Sequence, residues 1–170
     1  MDAALCRALA SLVCVREADQ VLGFFAVRGE PDLSPLYTVA RERGIPVALP
    51  RCTGTRMTFH VVQHERELLP DRFGIMAPPD TAPTLPITAR TVCILPALGA
   101  TASGARLGYG GGFYDRFLEN FAGICILPIY ERLVLPAIPE EDTDIRAHLI
   151  VTEKGELYRH GEILPAAPTL

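Results

Sequence analysis

Lysine is almost missing from this chain: Lys154 is the only one in 170 residues, so nearly all the positive charge is arginine. A phosphate site built from these residues must therefore use guanidinium forks or backbone N–H groups. A P-loop lysine could come only from Lys154. Excess positive charge is missing too. A net charge of −4 lacks the basic face that a nucleic-acid backbone requires, so no nucleic-acid partner is expected. Paired cysteine motifs are absent: Cys6, Cys14, Cys52, Cys93 and Cys125 are scattered, with no CxxC. Cys93 and Cys125 lie inside apolar runs, which predicts buried thiols in a reducing cytoplasm. No apolar run approaches the ~20 residues of a membrane span, and Arg7, Arg16 and Glu17 interrupt the N-terminal one, so neither a membrane anchor nor a targeting segment is expected. There is no Gly-x-Ser-x-Gly elbow. His60 and His64 stand four apart across a strand end without the glutamate of a zinc helix.

What remains is the composition of a soluble globular protein, long enough for a single domain spanning 1–170. Ala3 to Val15 places Leu5, Leu9, Leu12 and Val13 near helical spacing. Val21 to Val27 suits a buried strand. Ser34-Pro35 opens a helix, with Ser as N-cap, and Gly44 stops it. Ile45 to Leu49 and Met57 to Val62 read as strands. From Phe73 through Pro78, Pro79, Pro83 and Pro86 the chain can be neither a central strand nor a helix, which predicts an extended surface connection. Strands at Thr91–Leu95, Ile124–Ile129 and His148–Thr152 follow, with a helix over Phe113–Phe121 and a tight turn at Lys154-Gly155. Strands alternating with helices predict an α/β fold, three-layered and Rossmann-like, with a largely parallel sheet and helices on both faces. Ligands in such folds sit beyond the carboxyl ends of the strands.

The densest motif follows the strand at Thr91. Arg106-Leu-Gly-Tyr-Gly-Gly-Gly-Phe-Tyr-Asp-Arg116 carries four glycines in five positions and runs straight into a helix. Glycines allow a ligand to approach the backbone closely, and the loop N–H groups with the helix N-terminus form an anion cradle. GxGxxG fails because Phe113 stands at the third glycine, and GxxxxGK[ST] fails for want of lysine. Taken only as a glycine cluster, the segment fits a structural turn equally well.

Its neighbours make the motif specific. Arg106 to Leu118 resembles the signature of the 5-formyltetrahydrofolate cyclo-ligase (methenyltetrahydrofolate synthetase) family. The similarity extends in order to Arg28-Gly-Glu-Pro-Asp32, Ala48-Leu-Pro-Arg51, Met57-Thr-Phe59, Gly74-Ile75 with Pro78, and Pro139 to Thr152. The resemblance implies an ATP- and Mg²⁺-dependent ligase acting on two small molecules, as monomer or homodimer, through a phosphorylated formyl intermediate. It places ATP along Arg106, Leu107, Gly108, Tyr109, Gly110, Gly111, Gly112, Phe113 and Tyr114, with Arg106, Gly110, Gly111 and Tyr114 as the catalytic set. Folate would meet Phe25, Glu30, Met57 and Tyr109 to Phe113. Asp115 and Asp144 would hold Mg²⁺, a hard cation suited to carboxylates and water.

Three features depart from the family pattern. Met1-Asp2 stands about where a basic, ATP-contacting helix of the family would be finished. Leu98-Gly-Ala-Thr101 replaces a common Ala-Phe-Asp, and Thr143 replaces a histidine before Asp144. A non-catalytic folate- or nucleotide-binding relative of the same fold is therefore the alternative expectation.

Overall fold

The computed structural model describes residues 1–71 and 74–159. It begins with helices α1 (Asp2–Ser11) and α2 (Val13–Arg16), then strand β1 (Gln20–Leu22) and helix α3 (Ser34–Glu42). A hairpin of β2 (Val47–Thr53) and β3 (Arg56–Val61) follows, then the short pair β4 (Leu69–Pro70) and β5 (Met76–Ala77). The second half contributes β6 (Thr91–Ile94), β7 (Gly99–Thr101), β8 (Arg106–Leu107), helix α4 (Phe113–Leu118), β9 (Ile124–Pro128), β10 (Val134–Leu135), β11 (Leu149–Thr152) and β12 (Gly155–Arg159).

The main sheet runs β12-β11-β9-β6-β1-β2-β3. Its inner strands β11, β9, β6, β1 and β2 are parallel, and β12 and β3 close the edges antiparallel. The expected α/β fold is therefore present. Strand side chains alternate between two cores, as the pleat demands. Val21, Val47, Val92, Ile94, Ile124, Ile126 and Leu149 face α1 and α3. Leu22, Ala48, Cys93, Leu95, Cys125, Leu127 and Ile150 face the other way, toward α4. Helices lie on both faces, though α4 shares its face with a small sheet, β10-β7-β8. On the first face Leu5 and Leu9 of α1 are completely buried, and each contributes about 1.5–3 kcal/mol. Cys93 and Cys125 are buried thiols, and burial pushes both up in pKa.

Several boundaries differ from the sequence reading. The first helix breaks at Leu12, whose backbone is extended; the Ser11 hydroxyl donates to Ala8 O at 2.7 Å, competing for a helical carbonyl. The strand expected over Val21–Val27 ends at Leu22. There Tyr37 replaces a neighbouring strand: Phe24 N–H donates to its hydroxyl at 2.9 Å, and that hydroxyl donates to Phe24 O at 2.8 Å. Leu33, not Ser34, occupies the N-cap of α3, and Asp32 Oδ1 accepts the Ser34 N–H at 3.0 Å. Helix α4 stops at Leu118, because the Phe121 N–H turns back to Leu118 O in a tighter i→i+3 turn. The extended connection is present over its described residues, pinned to the β3 edge by Val61 N–H to Pro83 O at 2.7 Å and His60 Nδ1 to Ala82 O at 2.7 Å. Phe73 lies outside the described residues. Among the described residues, no helix is long and apolar enough to cross a membrane.

Candidate active site

Strand β1 pairs with β2 on one side and β6 on the other, so the chain's winding reverses direction between β1 and β6. A parallel sheet opens a crevice at such a reversal, at the carboxyl ends of the two strands. The loops leaving those ends are residues 23–33, which carry Glu30, and residues 95–112, which carry the glycine motif. They meet where the topology predicts.

The contact is made by Tyr109. Its hydroxyl reaches Val27 O at 3.4 Å, and the Arg28 guanidinium lies 5.7 Å from its ring centroid. Arg28 is held at φ 51°, a left-handed conformation that costs a non-glycine residue on the order of 1–2 kcal/mol. Beneath this pair Glu30 is buried, and Val27 N–H donates to its Oε2 at 2.9 Å. Burial pushes the Glu30 carboxyl above its ordinary value, against the opposing pull of the Val27 N–H and the Tyr109 hydroxyl. Burial first, and the neighbouring Glu30 second, push the Tyr109 phenol up. Glu30 Oε1 is buried without a hydrogen-bond partner.

On the far side of the loop, Arg106 Nη2 donates to Asp115 Oδ1 at 2.7 Å. The Arg106 side chain is only 7% exposed and its Nε has no hydrogen-bond partner. Its guanidinium lies 5.7 Å from the Tyr114 ring centroid, and that ring packs edge-on to Phe59. Burial pushes the Tyr114 phenol well up, so it keeps its proton and can serve as a donor, not a base. Asp115 Oδ1 also accepts the Ile145 N–H at 3.2 Å, which ties the acidic loop to the glycine helix. Both bonds fall on Oδ1, so neither commits the second oxygen. Asp144 is the next residue back along that loop, and its Oδ2 accepts the Glu141 N–H at 2.8 Å. Among the described residues, no group of three or more His, Cys, Asp or Glu side chains could hold a metal ion. Two carboxylates would need oxygens from a bound substrate and water to complete a Mg²⁺ shell.

Between these flanks, Gly110 and Gly112 adopt φ of 79° and 61°. Among the described residues, none of the N–H groups of Gly110, Gly111 and Gly112 donates to another backbone carbonyl. The structure thus brings together Glu30, Arg106, Tyr109 to Tyr114 and Asp115. Leu107 and Gly108 sit at the lip, with Leu107 paired to Gly99 in the small sheet. Met57 is buried in the core beneath α4. Phe25 is more than a third exposed and lines a hollow of about 260 Å³ with Tyr37, Arg41 and Leu49. Arg28 and Arg116 stood within the sequence motifs without a role, since Arg28 acts through a ring, and Arg116 through a ring and two carbonyls, that only folding brings to them.

A buried carboxylate and a glycine-rich loop meet at the reversal of a parallel sheet, the place where α/β proteins of the doubly wound class bind their ligands. Comparison with known proteins narrows this. The model of the 5-formyltetrahydrofolate cyclo-ligase family matches residues 2–153. The chain is 32% identical over 143 residues to the 5-formyltetrahydrofolate cyclo-ligase of Escherichia coli strain K12, covering 79% of this chain and 78% of that one. Identity is also 32% over 146 residues with the 5-formyltetrahydrofolate cyclo-ligase of Mycolicibacterium smegmatis, covering 79% and 74% respectively. Among solved structures, Aquifex aeolicus 5,10-methenyltetrahydrofolate synthetase superposes with a TM-score of 0.79 at 26% identity, over 99% of this chain and 84% of that one. The chain belongs to the 5-formyltetrahydrofolate cyclo-ligase family, a family of enzymes.

Proposed function

We propose that this enzyme converts 5-formyltetrahydrofolate to 5,10-methenyltetrahydrofolate with ATP as co-substrate and Mg²⁺ as the metal. One observation carries the reading beyond the family resemblance. Of the four buried side-chain atoms left without partners among the described residues, two belong to this crevice: the acceptor Glu30 Oε1 and the donor Arg106 Nε. An orphaned buried polar atom costs about 1–3 kcal/mol. Such atoms persist where a ligand supplies the partner. A pterin edge offers N–H donors to the first, and a phosphate offers oxygens to the second.

The formyl amide is a weak electrophile. The reaction transfers the γ-phosphoryl group from ATP to the formyl oxygen and releases ADP. The N10 amine then attacks the formyl carbon, closing the ring, and inorganic phosphate leaves with the former formyl oxygen and takes up the N10 proton. Glu30 anchors the pterin, and the Gly110–Gly112 N–H groups receive the transferred group's oxygens. Arg106 exchanges Asp115 for phosphate, and the Tyr109 ring covers the activated carbon from water. Asp115 and Asp144 would hold Mg²⁺, which supplies charge neutralisation for the triphosphate when bound. Both substrates are small molecules, and no step calls for nucleic acid or membrane.

The test is the absorbance of methenyltetrahydrofolate formed from 5-formyltetrahydrofolate, with ATP and Mg²⁺ each present or withheld. Product that depends on both is expected. Folate binding without product would instead identify a binder that has lost turnover.

A further inference from the structure

A run of glycines has no side chains to fix its peptides, yet a phosphate cradle works only if its N–H groups already point the right way. Arg116, one turn into α4, is the residue that fixes them. Its Nη2 donates to Gly111 O at 2.9 Å, and its Nε donates to Thr55 O at 3.2 Å in the turn of the β2–β3 hairpin. Its guanidinium also lies 5.1 Å from the Phe113 ring centroid. The packing is close enough that a Cβ at Gly112 would stand 2.8 Å from Arg116 Nη1. The φ of 61° at Gly112 is what requires glycine there. A Cβ at Gly111 would likewise stand 3.0 Å from the Phe113 ring.

A trans peptide points its C=O and the following N–H in opposite directions. Drawing the Gly111 carbonyl onto Arg116 therefore turns the Gly112 N–H to the other side of the loop, away from the guanidinium. We infer that Arg116 is a positioning residue: it clamps the Gly111–Gly112 peptide between the hairpin turn and α4 and so presents the Gly112 N–H to the transferred phosphoryl group. This rests on the proposed reading of the glycine loop as the phosphate cradle. Lysine cannot replace it, because one ammonium cannot bond both carbonyls in a fixed plane and lie over the ring.

The experiment compares the parent chain with Arg116→Ala and Arg116→Lys by ¹⁵N relaxation and by steady-state kinetics with ATP and 5-formyltetrahydrofolate. In the parent, Gly111 and Gly112 should show order parameters near the ~0.85 of rigid backbone. In Arg116→Ala they should fall toward ~0.6 or below. Displacing a catalytic donor by an ångström costs about a hundredfold, so kcat/KM for ATP should drop ten- to a hundredfold while the folate KM holds. Arg116→Lys should fall between the two, and added guanidinium should restore part of the Arg116→Ala activity. Glycines that stay rigid in Arg116→Ala overturn the clamp. So does a loosened loop with unchanged ATP kinetics, or a loss shared equally by folate. A parent chain that makes no product would refute the ligase reading instead, and the order parameters would still decide whether Arg116 holds the loop.

Discussion

Asp115→Asn tests the ion pair at the heart of the site. Arg106 Nη2 lies 2.7 Å from Asp115 Oδ1, with the two side chains 7% and 23% exposed. Removing one partner of a fully buried pair costs about 3–5 kcal/mol, because the remaining charge is stranded. Two features reduce that here: Asp115 keeps some solvent, and the asparagine carbonyl still accepts one N–H. The loss is then that of a charge-assisted hydrogen bond, about 1.5–3 kcal/mol. For a chain of this size that corresponds to a thermal midpoint lower by about 3–12 °C. Arg106 is the side that suffers, since its Nε already lacks a partner. Urea unfolding monitored by far-UV circular dichroism gives the difference from the shift in midpoint at constant slope. The double change Arg106→Met with Asp115→Leu should be less unstable than Asp115→Asn alone, because it leaves no stranded charge. Asp115→Asn within about 0.5 kcal/mol of the parent would mean that solvent already screens the pair. The account of Arg106 as a pre-formed but mis-partnered phosphate ligand would then be wrong.

Glu30→Gln should weaken folate by about one to two decades, the worth of a charge-assisted bond of roughly 1.5–3 kcal/mol, and leave ATP binding nearly unchanged; calorimetric titration of both ligands decides it. The same residue sets a pH dependence. Burial raises the Glu30 carboxyl above its ordinary 4.5, so the folded chain holds this proton more tightly than the unfolded one. Its contribution to stability is fully present below 4.5 and is lost as pH rises through the folded value, so denaturation midpoints of the parent should fall relative to Glu30→Gln over that window. Gly23→Ala should be strongly destabilising, by about 1–3 kcal/mol or more, because its Cβ would stand 2.4 Å from the Tyr37 hydroxyl. A calorimetric midpoint equal to the parent's would show that Tyr37 can move aside.

The sequence by itself determined the parallel sheet. Short apolar runs at Val21, Thr91, Ile124 and His148 alternate with helical segments, and a parallel sheet covered on both sides buries such runs. It also exposed the glycine motif, because glycine spacing is a local property of the chain. The tertiary structure decided everything that depends on who stands opposite whom. Strand β1 stops at Leu22 because Tyr37, fifteen residues further on, satisfies the backbone of Phe24. The family resemblance implied phosphate and metal roles for Arg106 and Asp115, but nothing in the sequence marked them as partners of each other, since nine residues of loop and helix turn must fold before they meet. Glu30 and Tyr109 come together only because the winding of the sheet reverses between β1 and β6. Linear order holds them seventy-nine residues apart; the reversal makes them neighbours at one crevice.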